Sequence, residues 1–458
     1  MLTPPSAGSA GRTGFWKTAI LGSPTTAVAA AFCLRAFLLV ASHRAEDRLQ
    51  LGLQVIGKEA GFIAWSLASG KGFSNPFPGY DLPTAWLAPI FPALWSIGFR
   101  IFDPNLTDRG VYFGQLLNCA FSAFTAWPIG WLGRRLFGPR VALGAAWAWV
   151  LMPLAILFPL EWVWDQSLSA LVLSLLLCAG YRVRDLPASS PAWAGYGLLW
   201  GFAALLNPTL CVLLPLLLAW IIVFRRRAGL SVLYPASKAV LLLVLSILPW
   251  TARNYFALDG LVLVKSNFGL ELWLGNNSQV PSDDVYAPQL HPMNNFRELL
   301  PLVFAGEPGY MRAKESEALR FMRQNPRTFF NLVGRRVLDT WTGDFDSRHD
   351  KWMIALHSGG LEIACCTGLS LLAALGLGLA MRKDVFECLP LAFCVVVFPI
   401  PYYITHTTLR YRHPLDPVLT LLAVLTIARL LSGITGEHPE VAPAPAGSTV
   451  PAPQIPSV

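Results

Sequence analysis

Long runs of apolar residues, separated by short polar segments, dominate the pattern of this chain. The clearest runs are Val111 to Leu132, Val141 to Pro159, Leu361 to Met381 and Val385 to Thr405. Each approaches the roughly 20 residues that a helix needs to cross the hydrocarbon core of a bilayer. Because a chain in lipid must satisfy its backbone polar groups internally, the pattern predicts an all-α polytopic membrane protein.

Short basic loops between the apolar runs predict the orientation of the spans, since such loops stay on the cytoplasmic side. These loops are 134–140, 181–184, 225–227 and 382–383. All four share one side only if the run from Tyr196 to Phe224 crosses twice, with its break at Asn207-Pro208. The result is about ten transmembrane helices with both chain ends inside: 25–41, 111–132, 141–159, 164–181, 194–206, 208–224, 238–252, 359–381, 385–404 and 414–432.

The same counting defines the domains. Ala85 to Phe102 would invert every later loop if it crossed, so it is predicted to be a juxtamembrane helix in the interface. The first apolar run lacks a small-residue cleavage site and is expected to be retained. The divisions are a cytoplasmic N-terminus 1–24, an N-terminal transmembrane module 25–252 with an external loop 42–110, an external loop domain 253–358, C-terminal transmembrane helices 359–432, and a disordered Pro/Ala-rich tail 433–458.

Composition excludes several classes of function. Charged residues make up 14% of the 458 residues, against roughly 25% in soluble domains. The net charge of +8 comes from basic loops beside apolar runs, so it indicates orientation in a membrane rather than binding of nucleic acid. The eight cysteines contain no pair with metal-ligand spacing, and neither disulfides nor zinc are expected. No cofactor is predicted, although the sequence leaves a divalent metal open.

Carboxylates on the predicted external side are the candidates for acid–base chemistry. Glu59 lies on a short amphipathic element in the first external loop, and the turn PLEWVWDQS carries Glu161 and Asp165. Glu46 and Asp47 in HRAEDR are the substitutes for Glu59. The alternative for Glu59 is a solvated interfacial charge paired with a neighbouring basic residue.

Cations and amides at the same level would suit a phosphate and sugar hydroxyls. They follow the span that ends near residue 252, lie inside the first span, or break the positive-inside rule in the turn THTTLRYRH. The candidates are Arg35, Arg253, Lys265, Asn267, Glu271, Asn276, Arg410 and Arg412. The alternatives are snorkelling of Arg35 to headgroups, capping of turns by the asparagines, and headgroup contacts of the two arginines in the turn.

In this order and spacing, the features resemble the bacterial GT-C membrane glycosyltransferases, which include protein mannosyltransferases and aminoarabinose transferases. The resemblance covers nearly the whole chain from about residue 30 to 430 and rests on GKEAGFIAWSLASGKGF, PTAWLAPIFPAL, GRRLFGPRVALGAA, WVWDQSLSALVL, PWTARNYFALDG, KSNFGLELWLGNN, GEPGYMRAKESEALRFMRQNP and RYRHPLDP. One departure is at Ile56 and Gly57, where many relatives have an Asp-Glu pair. Glu59 follows about one turn later.

The resemblance implies an inverting transfer of a sugar from a polyprenyl-phosphate donor to a lipid, glycan or protein acceptor, on the external face of a bacterial inner membrane. It implies that an external acidic residue after the first span is the base, which assigns that role to Glu59 with Asp47 as its substitute. Asp165 is assigned to catalysis as the residue that orients the acceptor or holds the first loop. The donor phosphate is assigned to Arg410, Arg412, Arg253, Arg35 and Lys265. Sugar or acceptor binding is assigned to Glu161, Asn267, Glu271 and Asn276. The alternative function is a lipid-carrier flippase or transporter, which only the broken run at Asn207-Pro208 favours.

Overall fold

A computed structural model describes residues 23–45, 58–102, 108–280, 284–343 and 359–435. Within these ranges the chain is helical and contains no β-strand, apart from a single bridge between Ser74 and Pro83. The helices of the first half are α1 (Pro24–Ala45), α2 (Lys58–Ala68), α3 (Ile90–Phe102), α4 (Asp108–Phe124), α5 (Ala126–Phe137), α6 (Pro139–Leu151), α7 (Pro153–Glu161), α8 (Gln166–Asp185) and α9 (Ala192–Leu206).

The second half begins with a 3₁₀ turn, Pro208–Leu213. Its helices are α10 (Leu214–Arg227), α11 (Leu233–Leu258), α12 (Phe268–Gly275), α13 (Phe296–Gln324), α14 (Pro326–Thr342), α15 (Gly359–Lys383), α16 (Val385–Val397), α17 (Ile400–Ile404), α18 (Leu409–Arg412) and α19 (Asp416–Thr435). The prediction of an all-α polytopic membrane protein is confirmed.

Seven helical segments of the described chain are long and apolar enough to cross a membrane: Pro24–Ser42, Gln166–Asp185, Pro208–Arg227, Leu233–Leu258, Glu362–Lys383, Val385–Ile404 and Leu409–Ser432. The pair α6 and α7, bent by 42°, would be an eighth. The predicted count of ten also needs two segments that fall short. The run 111–132 is divided at Thr125, and α9 has only 15 residues.

Two of the breaks have evident backbone causes. Pro153 begins α7, and Met152 before it is extended, because the residue before a proline avoids the helical conformation. Asn207 before Pro208 is likewise extended, and its side chain accepts a hydrogen bond from the Thr209 backbone N–H at 3.2 Å. The chain therefore breaks at Asn207-Pro208, where the sequence predicted it.

Glycines allow the closest helix contacts in the bundle. A Cβ atom on Gly197 in α9 would lie 2.2 Å from the backbone oxygen of Ala239 in α11. A Cβ atom on Gly376 in α15 would lie 2.0 Å from that of Leu422 in α19. Small residues that let backbones approach are typical of helix packing in membranes, so these two contacts fix α9 against α11 and α15 against α19.

A second apolar core lies outside the main bundle. The segment 73–86 contributes Phe77, Tyr80 and Trp86, and these pack with Leu270 of α12 and Tyr310 of α13. This core joins the loop that follows α2 to the region between α11 and α14. It thereby brings α2, α12 and the 288–294 segment together at one end of the bundle.

A buried carboxylate reinforces this junction. Glu307, 1% exposed, accepts hydrogen bonds from the Thr84 hydroxyl at 2.5 Å, the Ala85 backbone N–H at 2.8 Å and the Ser266 hydroxyl at 2.5 Å. Burial raises the pKa of Glu307, and these hydrogen bonds oppose the rise. Because Ser266 is tied in this way, the backbone on either side of Lys265 and Asn267 is fixed.

Candidate active site

A cavity of about 230 Å³ lies at one end of the bundle. Asp165 lines it and immediately precedes α8, whose last turn carries Arg182 and Arg184. Pro208 lines it too, at the start of a span that ends in Arg225, Arg226 and Arg227. The cavity and the basic clusters are therefore at opposite ends of these helices.

Glu59 in the first turn of α2 forms one acidic wall of the cavity. Its side chain lies beside His291, with 3.4 Å between Glu59 Oε1 and His291 Nε2. Glu59 is 7% exposed, and its second oxygen, Oε2, has no hydrogen-bond partner within the described part of the chain. A buried carboxylate with one unpartnered oxygen is an arrangement that can accept a proton.

Glu271 in α12 is the second acid. Asn267 Nδ2 donates to Glu271 Oε1 at 2.7 Å, and Glu271 Oε2 lies 3.5 Å from His406 Nδ1. Burial raises the pKa of Glu271 above its ordinary value and lowers that of His406 to about 3. His406 is therefore a neutral ring near neutral pH, and Glu271 has a neutral partner on each side.

Asp165, the residue before α8, is the third acid, and it lines the cavity together with Asn207. The Ser169 hydroxyl donates to Asp165 Oδ2 at 3.0 Å, and Asn207 Nδ2 donates to the Ser169 oxygen at 3.3 Å. Burial raises the pKa of Asp165, whereas the positive charges of Lys265 and Arg410 oppose that rise. The Asn207 side-chain amide is thus linked through the Ser169 hydroxyl to the Asp165 carboxylate in the cavity.

Cationic side chains balance these acids. Lys58, Lys265 and Arg410 line the cavity. The guanidinium of Arg410 lies over the Trp164 ring, 4.8 Å from the centroid, and its Nη2 is 3.5 Å from the Tyr411 hydroxyl. Aromatic contact holds the guanidinium through its face, which leaves its N–H groups for an anion in the cavity.

The structure brings together six residues that the sequence singled out: Glu59, Asp165, Lys265, Asn267, Glu271 and Arg410. Five others do not line the cavity: Arg35, Glu161, Arg253, Asn276 and Arg412. Of the five cations assigned to the donor phosphate, Lys265 and Arg410 line the cavity, whereas Arg35, Arg253 and Arg412 do not. Asp47, with Glu46, lies outside the described residues.

Arg35 is fully buried among the first helices. Its guanidinium donates to Ser122 Oγ and the Ala155 carbonyl at 3.0 Å each, and to the Trp149 carbonyl at 3.0 Å. These acceptors join α1, α4, α6 and α7, and they include carbonyls that the bend at Met152 frees. Arg35 therefore neither snorkels to headgroups nor faces the cavity.

Arg253 and Arg412 also bind protein groups. Arg253 donates to the Thr84 and Phe73 carbonyls at 2.6 Å each, so it holds the loop after α2. Arg412, 1% exposed, donates to Asp416 Oδ1 at 3.1 Å and to the Thr340 carbonyl at 3.3 Å. Arg253 Nη1 and Nη2 and Arg412 Nε and Nη1 are thus directed to acceptors within the fold, and neither residue lines the cavity with Arg410.

Asn276 and Glu161, assigned to sugar or acceptor binding, also lie outside the cavity lining. Asn276 is buried, and its amide donates to the Leu272 and Ile404 carbonyls at 2.8 and 2.9 Å. Arg336 donates to the same Ile404 carbonyl at 3.1 Å, so both residues hold the chain just before His406. Glu161 is the last residue of α7 and does not line the cavity.

Sequence reasoning missed the two cavity histidines, His291 and His406, and Tyr411. His406 and Tyr411 lie in the turn THTTLRYRH, from which only Arg410 and Arg412 were selected as candidates. His406 lies four residues before Arg410 and Tyr411 lies directly after it, so their proximity to a candidate cation was a usable sign. His291 lies in a segment without periodicity, and nothing in the sequence pattern connects it to Glu59.

The described residues do not form a complete metal site. In the ranges that the structure describes, no three His, Cys, Asp or Glu side chains converge as a metal-binding group. Glu59 with His291, and Glu271 with His406, each supply two such side chains, whereas catalytic zinc sites use three protein ligands.

Comparison of the whole fold gives a clear relationship. The oligosaccharyltransferase of Archaeoglobus fulgidus, in a crystal structure with Zn and sulfate, superposes over 90% of this chain with a TM-score of 0.54 at 14% identity. A second structure from the same organism, its oligosaccharyltransferase AglB with an inhibitory peptide and a dolichol-phosphate, covers 94% with a TM-score of 0.50 at 15% identity. This chain has the GT-C fold.

The GT-C relationship is one of fold. The chain spans about half the length of those oligosaccharyltransferase chains, 50% and 53%. The alignment with ArnT from Cupriavidus metallidurans bound to undecaprenyl phosphate covers 83% of this chain and 75% of the ArnT chain, at 14% identity and a TM-score of 0.35. A TM-score this low does not establish a shared fold. No protein-family model and no curated protein sequence matches the chain.

Proposed function

We propose that this protein is a membrane glycosyltransferase that moves a sugar from a polyprenyl-phosphate donor to an acceptor hydroxyl with inversion. One observation carries the proposal. Three carboxylates (Glu59, Asp165 and Glu271) and three cations (Lys58, Lys265 and Arg410) share one cavity at the end of a GT-C bundle. Acids suit proton removal from an acceptor, and cations suit a phosphate leaving group.

The transfer is a single displacement. Glu59 accepts the proton of the acceptor hydroxyl as that oxygen bonds to the anomeric carbon of the donor sugar. The bond between the anomeric carbon and the phosphate oxygen breaks, and its electron pair leaves with the polyprenyl phosphate. The unpartnered Oε2 of Glu59 supports this assignment.

Arg410 and Lys265 stabilise the phosphate, whose negative charge grows as the sugar leaves. Guanidinium is suited to this role because its planar fork can bind two phosphate oxygens. Asn267 and Glu271 supply an amide and a carboxylate for sugar hydroxyls. Leu87, Phe91, Pro92, Leu206 and Phe268 form an apolar part of the lining, which suits the first isoprene units of the carrier.

The reaction takes place on the external face of the membrane. This side is proposed because the cavity and the basic clusters occupy opposite ends of the same helices, and basic loops stay in the cytoplasm. A bacterial inner membrane is the proposed location. The acceptor is a hydroxyl of a lipid, a glycan or a protein.

Purified protein incubated with radiolabelled polyprenyl-phosphate hexoses and pentoses tests the function. We expect release of polyprenyl phosphate. It should be slow when water is the only acceptor of the sugar and faster when membrane extract is added. A flippase would move the labelled lipid between leaflets of a vesicle without cleaving it. Translocation with intact donor, and no release from any sugar of the panel, would contradict the proposal.

A further inference from the structure

The ring of His291 is held in a fixed orientation beside Glu59. Trp86 packs edge to face against it at 5.5 Å between centroids and 79° between planes, and Phe77 does the same at 6.1 Å and 75°. Trp86 and Phe77 belong to the second apolar core. The ring is therefore clamped by rigid groups and cannot turn freely.

The backbone selects the tautomer of this ring. The Met293 backbone N–H donates to His291 Nδ1 at 3.2 Å, so Nδ1 must carry a lone pair. A neutral imidazole then has its proton on the other nitrogen. That nitrogen, Nε2, is the one that lies 3.4 Å from Glu59 Oε1.

The surroundings keep the ring neutral. Burial lowers the pKa of His291, and the charges of Lys58 and Arg410 act in the same direction, while Glu59 and Glu271 oppose it. A neutral ring then carries its N–H on the nitrogen 3.4 Å from Glu59 Oε1, beside one carboxylate oxygen and away from the other. Oε2 is the oxygen without a partner in the described part of the chain.

We propose that His291 is a positioning residue that holds Glu59 Oε1, so that Oε2 faces the acceptor hydroxyl. The inference rests on the role proposed above for Glu59. A group that orients a reacting side chain is worth roughly tenfold to a hundredfold in activity. The backbone N–H of Met293 contributes to this positioning because it sets the tautomer of the His291 ring.

A double-mutant cycle tests the coupling. Release of polyprenyl phosphate is measured for wild type, Glu59→Gln, His291→Ala and the double variant, with radiolabelled donor and long incubations for the slow variants. We expect His291→Ala to be tenfold to a hundredfold slower than wild type with unchanged affinity for polyprenyl phosphate. The double variant should be no slower than Glu59→Gln alone.

Two further variants separate positioning from general damage. His291→Gln keeps an N–H donor on a side chain of similar reach and should recover at least part of the lost rate. His406→Ala removes the other cavity histidine, which lies beside Glu271, and its effect should persist in the Glu59→Gln background. Wild-type turnover in His291→Ala, or a double variant slowed by the full His291→Ala factor, would overturn the inference.

A measurement that needs no turnover distinguishes this inference from the proposed function. In ¹⁵N NMR spectra of histidine-labelled protein, the His291 signals, assigned by their loss in His291→Gln, should show a neutral ring protonated on Nε2. Glu59→Gln should shift the Nε2 signal. A ring protonated on Nδ1 overturns the inference, whereas the expected spectrum together with an inactive wild type would refute only the proposed transferase.

Discussion

The guanidinium of Arg412 donates to the carboxylate of Asp416 at 3.1 Å in the interior of the protein. His413 Nδ1 lies 3.0 Å from the other oxygen of that carboxylate, and its ring is stacked on Trp149. A buried charge is costly unless it is paired and hydrogen-bonded. Asp416, three residues after the turn THTTLRYRH, is therefore the counter-ion of Arg412, and of the two arginines in this turn only Arg410 lines the cavity.

Arg412→Lys should destabilise the protein without weakening the binding of polyprenyl phosphate. Lysine cannot reproduce the planar fork that contacts Asp416, Thr340 and Ser370 together. Loss of one partner in a buried ion pair typically costs about 3–5 kcal/mol, and a conservative swap should cost less. Thermal unfolding in detergent measures the stability, and equilibrium binding to the folded fraction measures the affinity. An unchanged melting temperature would contradict this account.

Arg410→Lys is the matched variant and should give the opposite pattern. Its guanidinium lies over Trp164 and faces the cavity, so the swap removes bidentate phosphate contact while keeping the charge. We expect binding of polyprenyl phosphate to weaken at least tenfold, about 1.4 kcal/mol, with little change in melting temperature. Equal affinity in Arg410→Lys and wild type would remove Arg410 from the phosphate site.

The contrast between these two arginines shows how far sequence reasoning reached. Apolar run length predicted the helical bundle, because a span in lipid needs a fixed number of apolar residues. The division of the helix at Thr125 and the bend at Met152 lay inside apolar runs and left the hydropathy pattern unchanged. Pro153 was the available sign of the second bend.

The site was predicted only in part, for a physical reason. Hydropathy and charge place a residue at a depth in the membrane, so they identified a level that contains Glu59, Asp165, Lys265 and Arg410. They do not say which side chains at that level have partners inside the fold. Arg35, bonded to Ser122 and the carbonyls of Trp149 and Ala155, depends on tertiary contacts that no local pattern contains.

His406 should lower the stability of the protein in mild acid, whereas the raised pKa values of Asp165, Glu271 and Glu307 act in the opposite direction. Burial lowers the pKa of His406 to about 3 in the folded state, against 6.5 ordinarily. Between pH 6.5 and about 3, His406 is therefore protonated in the unfolded chain and neutral in the folded chain. The stabilisation is present above pH 6.5 and is lost as the pH falls toward 3, at up to roughly 1.4 kcal/mol per pH unit.

Melting temperatures between pH 8 and pH 5 measure this effect. His406→Gln should lose less stability than wild type over that range, although the curve should keep a slope because burial also lowers the pKa of His291. At pH 8 both histidines are neutral, which makes that value the reference. Parallel curves for wild type and His406→Gln would show that His406 titrates normally.

The orientation of the bundle can be tested with two exposed positions. Ser231 lies between α10 and α11, next to a basic cluster, and Arg297 lies in the first turn of α13. Cysteine at position 297 should react with an impermeant maleimide added to intact cells, whereas cysteine at 231 should react only after permeabilisation. The eight native cysteines must be replaced first, and the parent without them is the control. Labelling of position 231 but not 297 from outside would reverse the proposed side of the cavity, and labelling of both from outside would contradict their placement on opposite sides.

Turnover of Glu59→Gln, measured beside its affinity for polyprenyl phosphate, tests the central claim most directly. Glutamine keeps the shape of the side chain and removes the base, and general-base catalysis is worth roughly a hundredfold to ten-thousandfold. We predict that release of polyprenyl phosphate from the radiolabelled donor falls by at least a hundredfold while affinity stays close to wild type. Asp165→Asn, the matched change at the other wall, should fall less. A Glu59→Gln variant that keeps half of the wild-type rate would contradict the account.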